Sequence, residues 1–346
     1  MKLVTFRVGS MELAGILAGD QVIDMEAAFR WHAARAGQDS STHAITEKYG
    51  QGVLGFIQHA SDARPVADEL IALCNDAQLP TVFSDDPLTH SLSKVSLVSP
   101  IPRPPSMRDG YAFRQHVATA RKNRGLEMIP EFDQFPVFYF TNHQAVIGPG
   151  DLHVLERHLD RLDYELEAAV VIGKRGRNVP ANRADELIFG MTVMNDFSAR
   201  ALQMQEMTMS LGPAKGKDFA TALGPVLVTI DELAPQTTMT PNGAVFDLDM
   251  RARLNGKELS VGNVKDMNWT FAQILERASY GVTLYPGDVI GSGTCGTGCL
   301  LELNGSKVTD NLWMKPGDEI ELEIQGIGKL TNKVVLDDGH AEIHAR

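Results

Sequence analysis

The chain has 346 residues, long enough for one large folding unit and one small one. Apolar residues make up 43% and charged residues 22%, as expected of a folded globular protein, and the net charge is −12 with Lys and Arg dispersed. That balance speaks against a nucleic-acid partner, which calls for clustered cations.

The opening residues, MKLVTFRVGS, lack the organisation of a signal peptide, and no stretch approaches the roughly 18 apolar residues of a membrane helix. Cys74, Cys295 and Cys299 are odd in number and sparse, which suits a reducing compartment. A cytoplasmic protein without a membrane partner is expected.

Residues 1–24 alternate apolar and polar side chains between glycine turns, which predicts two or three short strands. Helical spacing follows at 25–37, 51–61 and 64–76, then a strand at SKVSLVSP. The run PIPRPP at 100–105 supplies neither ladder donors nor helix and reads as a linker. A small α/β domain over 1–100 and a larger domain over 101–346 are therefore expected. The larger part is predicted to open with a helix at about 109–123 and a Pro, Phe and Tyr-rich connection at 130–150. Predicted strands follow: ELEAAVVIG, FGMTVMND, GPVLVTI, FDLDMRARLNG, GDVIGSG, CLLELNG and GDEIELEIQGIG, interrupted by helices at 197–208 and 269–279. Many strands with few helices give an α+β fold rather than a doubly wound sheet.

Glu165 and Glu167 stand two apart on a predicted strand, so both carboxylates face one side while Leu166 and Ala168 face the core. Like charges held together repel unless a cation or a proton lies between them. A solvated strand face is the alternative. The AAVVIG run that follows argues against it, because a central strand makes unpaired carboxylates costly. Asp196 ends FGMTVMND and opens a predicted helix with Arg200 at i+4 and Gln203 at i+7. It reads either as a plain N-cap or as part of a face that holds a carboxylate-bearing substrate. In DGYAFRQH, Asp109 and His116 are seven apart and fall on one face of the predicted helix. His116 is there either structural or a candidate base.

The segments DGYAFRQH, DYELE, MNDFSARALQ and GKDFAT, in that order, resemble the motifs of the fumarylacetoacetate hydrolase superfamily, as does the ending GDEIELEIQGIGKLTN. The resemblance covers roughly residues 100–335 and implies a β-rich catalytic domain of that type. Carried over by position, it makes Asp109, Glu165, Glu167 and Asp196 the metal ligands. An all-oxygen set suits Mg²⁺, with Mn²⁺ or Ca²⁺ as alternatives. It assigns catalysis to His116, Arg200 and Lys217, and substrate contacts to Tyr111 and Gln203, with Thr221 beside the metal. A homodimer and a small keto-acid or diketone substrate are implied as well. The expected reaction is hydrolytic C–C cleavage of a 1,3-diketone or 2,4-dioxo acid from breakdown of an aromatic or cyclic compound. Decarboxylation, isomerisation, hydration and sugar-acid dehydration use the same metal-enolate chemistry and stay open. A non-catalytic metal and keto-acid binding protein is the alternative of a different class; a structural ion would need none of His116, Arg200, Gln203 and Lys217.

In the hydrolase of that family the catalytic His pairs with a Glu in a loop after a GT motif, and shorter relatives place a Glu three residues after their His. Here position 119 is Thr, and GSGTCGTGCLLEL holds no acid before Glu302. Glu302 falls in the predicted strand CLLELNG, where a structural role is expected. The chain is thus expected to lack the pair, with Glu127 or Glu131 as the candidate substitutes. Gly291–Gly296 fits GxGxxG but precedes a predicted strand, so it reads as a close-approach loop or turn rather than a dinucleotide site. Gly212–Lys217 is one residue short of a phosphate loop. Cys295 and Cys299 lack the second pair of a zinc site. His153 and His158 read as surface residues and the Met-rich stretch 204–209 as core or lid lining. Phe132, Phe135, Phe138, Tyr139 and Phe140 read as core or as the wall of an apolar substrate pocket.

Overall fold

The computed structural model describes residues 1–337, so residues 338–346 of the expected second domain lie outside the described residues. Among the described residues a mixed sheet of 13 strands forms the centre. Its main path runs Thr89–Ser91, Gln21–Asp24, Met11–Ala18, Lys2–Val8, Leu227–Thr229, Ile188–Asp196, Leu166–Ile172, Val289–Gly291, Met107–Gly110 and Phe138–Phe140. Thr221–Leu223 pairs beside this path with Ile188–Asp196. The fold is α+β, as expected. Strands before and after the proline run share one sheet, since Lys2–Val8 pairs with Leu227–Thr229.

Period-two alternation divides the central strands between two cores. Ala168, Val170 and Ile172 pack with Met250, Ala252, Ile320 and Leu322 of a second, five-stranded sheet, and with Ile274 and Leu275 of the helix Phe271–Ser279. Ala169 and Val171 pack on the other side with Phe29, Phe56, Ile57 and Leu70, from the helices Met25–Arg35, Val53–Gln58 and Ala60–Asn75. A strand covered on both faces needs a continuous apolar run, which is what AAVVI provides. Among the described residues no helix is long and apolar enough to cross a membrane.

Two predicted elements differ. Residues 107–110 form a strand, not the start of a helix, and the helix begins only at Arg114 and ends at Lys122. Met107–Gly110 is paired on both sides, parallel to Val289–Gly291 and antiparallel to Phe138–Phe140, so tertiary ladders override the local helical pattern. Asp109 and His116 therefore do not share a helix face. CLLELNG is the other case: Leu300–Gly305 is a short helix. A brief apolar run buries equally well either way, and Asp163 decides it by accepting hydrogen bonds from the first helical amides, Leu300 and Leu301.

The backbones approach closely where Ile188–Asp196 meets Leu227–Thr229. A Cβ on Gly190 would stand 2.4 Å from the Val228 carbonyl oxygen. Gly190→Ala is therefore expected to destabilise the protein by about 1–3 kcal/mol. A lower urea midpoint with an unchanged m-value would show it; an unchanged midpoint would mean that the two strands part freely.

Candidate active site

Register, followed residue by residue, brings four carboxylates to one point. Glu167 lies opposite Met194, and Asp196 is two residues further along that strand on the same face. Ala169 lies opposite Gly291, which lies opposite Asp109. Asp196 is in turn opposite Thr221. Asp109, Glu165, Glu167 and Asp196 thus share the sheet face that carries the helix-covered core further along, and they sit at its end. Each offers a carboxylate oxygen within 4.8 Å of the others, and all four are buried.

Glycines make this convergence possible. A Cβ on Gly291 would lie 2.4 Å from Asp109 Oδ1, and Gly293, with φ +77°, would bring one to 2.6 Å from the Gly110 carbonyl oxygen. Gly293 N–H donates to Asp109 Oδ1 at 3.0 Å. The GxGxxG run is therefore the close-approach loop of the two readings.

The charges in the cluster are unevenly compensated. Lys217 Nζ donates to Glu165 Oε2 (2.5 Å) and Asp196 Oδ2 (2.7 Å). Arg200 donates through Nη2 to Glu165 Oε1 (2.7 Å), through Nε to Asp163 Oδ2 (2.8 Å) and through Nη1 to Gln203 Oε1 (3.0 Å). Burial works to raise Glu165, but Lys217 and Arg200 prevail and hold it at about 2. Burial and then the Asp196 charge push Asp109 up to about 8. Glu167 is raised well above the ordinary carboxylate range by burial, then by Asp109 and Glu165. Its Oε2 is a buried oxygen without a hydrogen-bond partner among the described residues, while Thr294 approaches Oε1 at 3.4 Å. An all-oxygen donor set with excess negative charge and an unpartnered carboxylate oxygen fits a hard divalent cation.

Beside this cluster His116 Nδ1 lies 2.7 Å from Glu302 Oε2, both side chains being buried. The expected absence of a His–Glu pair is thus overturned: helix Leu300–Gly305 turns Glu302 towards the helix Arg114–Lys122, whereas Glu127 and Glu131 are exposed. Tyr111 packs edge-on to His116 and to Phe132. Thr221 Oγ1 lies 3.4 Å from Asp196 Oδ1.

Other expectations also change. Asp196 ends its strand and caps no helix; the following helix spans Arg200–Met207. Phe138 and Phe140 pack against the Arg108 guanidinium, and Phe135 against Arg277, so these three are not gathered with Phe132 beside Tyr111. Tyr139 alternates to the face of Asp109 and donates its hydroxyl to Asp196 Oδ2 at 2.5 Å. Composition alone groups it with the four phenylalanines around it. His158 is buried, stacked on Phe219 and accepting from the Leu155 amide, while His153 is exposed. Met207 and Met209 are exposed. The amides of Ala214, Lys215 and Gly216 in the near-phosphate loop wrap the Glu206 carboxylate, and this internal anion fixes the turn that delivers Lys217.

A carboxylate raised to about 8 is protonated at neutral pH and must release its proton to a metal. Mg²⁺ binding at pH 7 should release protons, seen as a binding enthalpy that varies with the buffer's ionisation enthalpy. Since the folded state binds protons that the unfolded state has lost, the metal-free protein should lose stability as pH rises from the ordinary carboxylate range through about 8. Mg²⁺ should restore it. Buffer-independent enthalpy would contradict the account.

The sequence model for the fumarylacetoacetate (FAA) hydrolase C-terminal domain matches residues 106–335. An uncharacterized protein of Pyrococcus abyssi is 34% identical over 239 residues, 67% of this chain and 96% of that protein. The oxaloacetate tautomerase YisK of Bacillus subtilis is 32% identical over 250 residues, 71% of this chain and 75% of its own. The human mitochondrial oxaloacetate tautomerase FAHD2A is 31% identical over 245 residues, 70% of each chain. Among solved structures, fumarylacetoacetate hydrolase of Exiguobacterium antarcticum superposes with a TM-score of 0.65 at 25% identity, over 97% of this chain and 100% of that one. Maleylpyruvate hydrolase of Sphingobium sp. SYK-6 shares the fold with a TM-score of 0.66 at 21% identity, over 97% and 100%. With its ordered motifs and its carboxylate cluster, this chain belongs to the fumarylacetoacetate hydrolase family.

Proposed function

We propose that the protein hydrolyses a carbon–carbon bond of a 2,4-dioxo acid or related 1,3-diketone, with a divalent cation held by Asp109, Glu165, Glu167 and Asp196. The observation that carries this reading is the buried His116–Glu302 contact beside the carboxylate cluster. It supplies a positioned base of the kind that hydrolysis needs to activate water. When bound, the cation supplies Lewis-acid polarisation of a substrate oxygen.

The side chains have separate tasks. With Glu302 ionised, His116 Nδ1–H donates to it and Nε2 is left as the basic nitrogen, which takes a proton from water. The water oxygen joins the acyl carbon, the C–C bond breaks, and that proton returns to the departing carbon. Arg200 has five N–H donors, and three are committed within the protein. The remaining two, with the Gln203 amide and the Tyr111 hydroxyl, bind the substrate's carboxylate and carbonyl oxygens. Lys217 keeps one donor for developing negative charge after its two carboxylate bonds. A homodimer belongs to the same proposal, and sedimentation equilibrium at twice the chain mass would support it.

A second reading, oxaloacetate tautomerase, is favoured by the relatives at 32% and 31% identity that carry that name. It would use the same residues for proton transfer without cleavage. The two readings separate when metal-depleted protein receives Mg²⁺ and is offered acylpyruvates, fumarylacetoacetate and oxaloacetate in ¹⁸O-water. Hydrolysis yields two fragments with one ¹⁸O in the acid product, and His116→Ala or Glu302→Gln should lower kcat by about 10²–10⁴-fold. Fast oxaloacetate enol–keto exchange without any fragmentation would replace the first reading with the second.

A further inference from the structure

Asp163 lies outside the carboxylate cluster, and the reaction proposed above gives it no task. It is nonetheless fully buried and has partners on three elements. Its own strand, Leu162–Asp163, pairs with Ser198–Ala199 immediately before Arg200. Oδ2 accepts from Arg200 Nε at 2.8 Å and from the Leu301 amide at 3.0 Å, and Oδ1 accepts from the Leu300 amide at 2.7 Å. One carboxylate therefore fixes the guanidinium on one side and the start of helix Leu300–Gly305 on the other. Glu302 is one residue beyond Leu301 on that helix. Its aim at His116 is set by where the helix begins.

We infer that Asp163 is the positioning residue that holds Arg200 and the His116–Glu302 pair in a common frame. Charge is essential to the task, because all three bonds arrive from N–H donors. An Asn in either orientation turns an NH₂ group towards at least one of those donors, breaking either the Leu300 bond or both the Arg200 and Leu301 bonds. Arg200 is then left with Glu165 and Gln203 alone, and helix Leu300–Gly305 loses its cap. Displacement of the order of 1 Å in a catalytic group is enough to cost about 100-fold in rate.

This inference rests on the dyad of the proposed reaction, so its test includes a readout that needs no turnover. The proton shared by His116 Nδ1 and Glu302 should give a downfield ¹H resonance in the wild-type protein, absent from His116→Ala and Glu302→Gln. In Asp163→Asn, checked for a cooperative melting transition, that resonance should vanish or move upfield. On the substrate found for the wild type, Glu302→Gln should lower kcat alone. Asp163→Asn should lower kcat by about 100-fold and also raise KM, because Arg200 is loosened with it. In the Glu302→Gln background the kcat effect of Asp163→Asn should largely disappear while the KM effect persists. If Asp163→Asn fails to fold, Asp163→Glu keeps the charge on a longer arm, and the same shift of the resonance is expected. A folded variant with the wild-type resonance position would overturn the inference, whatever reaction the protein catalyses.

Discussion

Four acidic side chains held within one small volume set the terms for the rest of this molecule. Each ionised carboxylate removed from water costs several kcal/mol, and mutual repulsion adds to that. Proximity of this kind persists only where the backbone gives the groups no way apart. Here the sheet provides it: pairing fixes the heights of the strands, and side-chain alternation fixes the face. The absent side chain at Gly291 lets Asp109 close the ring. The apolar cores on both sides of the sheet hold those strands in register, so fold stability and site geometry have one origin.

Two groups of titratable residues lie next to each other with different chemistry. The oxygen cluster is short of positive charge, whereas the His116–Glu302 pair is self-contained. Arg200 stands between them, with Glu165 on one side and Asp163 on the other. Arg200 thereby ties the two groups together through hydrogen bonds to Glu165 and Asp163.

Much of this was legible in the chain. The alternation ELEAAVVIG places two carboxylates opposite a buried apolar face, and the structure bears out that division of faces. What escaped were features decided by partners far away in sequence. The helical spacing of DGYAFRQH hides the strand at Asp109, whose ladders come from residues 138–140 and 289–291. The role of Glu302 is hidden because LLEL satisfies strand and helix alike, and the deciding hydrogen bonds run from the Leu300 and Leu301 amides to the distant Asp163. Tyr139 could have been singled out by period two alone: in FYF the central ring must face away from its neighbours. Glu206 gives no local signal, since its partners are backbone amides of a loop that falls one residue short of a phosphate loop.

The shared sheet also bears on how the chain can be divided. Leu227–Thr229 is hydrogen-bonded on one side to Ile188–Asp196 and on the other to Lys2–Val8. A fragment that began after the proline run would keep every carboxylate and the dyad, yet it would carry a newly opened edge of unpaired amides and carbonyls at Leu227–Thr229. It would also bare the apolar face now covered by Phe29, Phe56 and Leu70. An open strand beside a large greasy surface is a template for self-association. The N-terminal segment thus covers both the edge and the apolar face of the half that carries the carboxylates, a duty separate from any part it plays at the site.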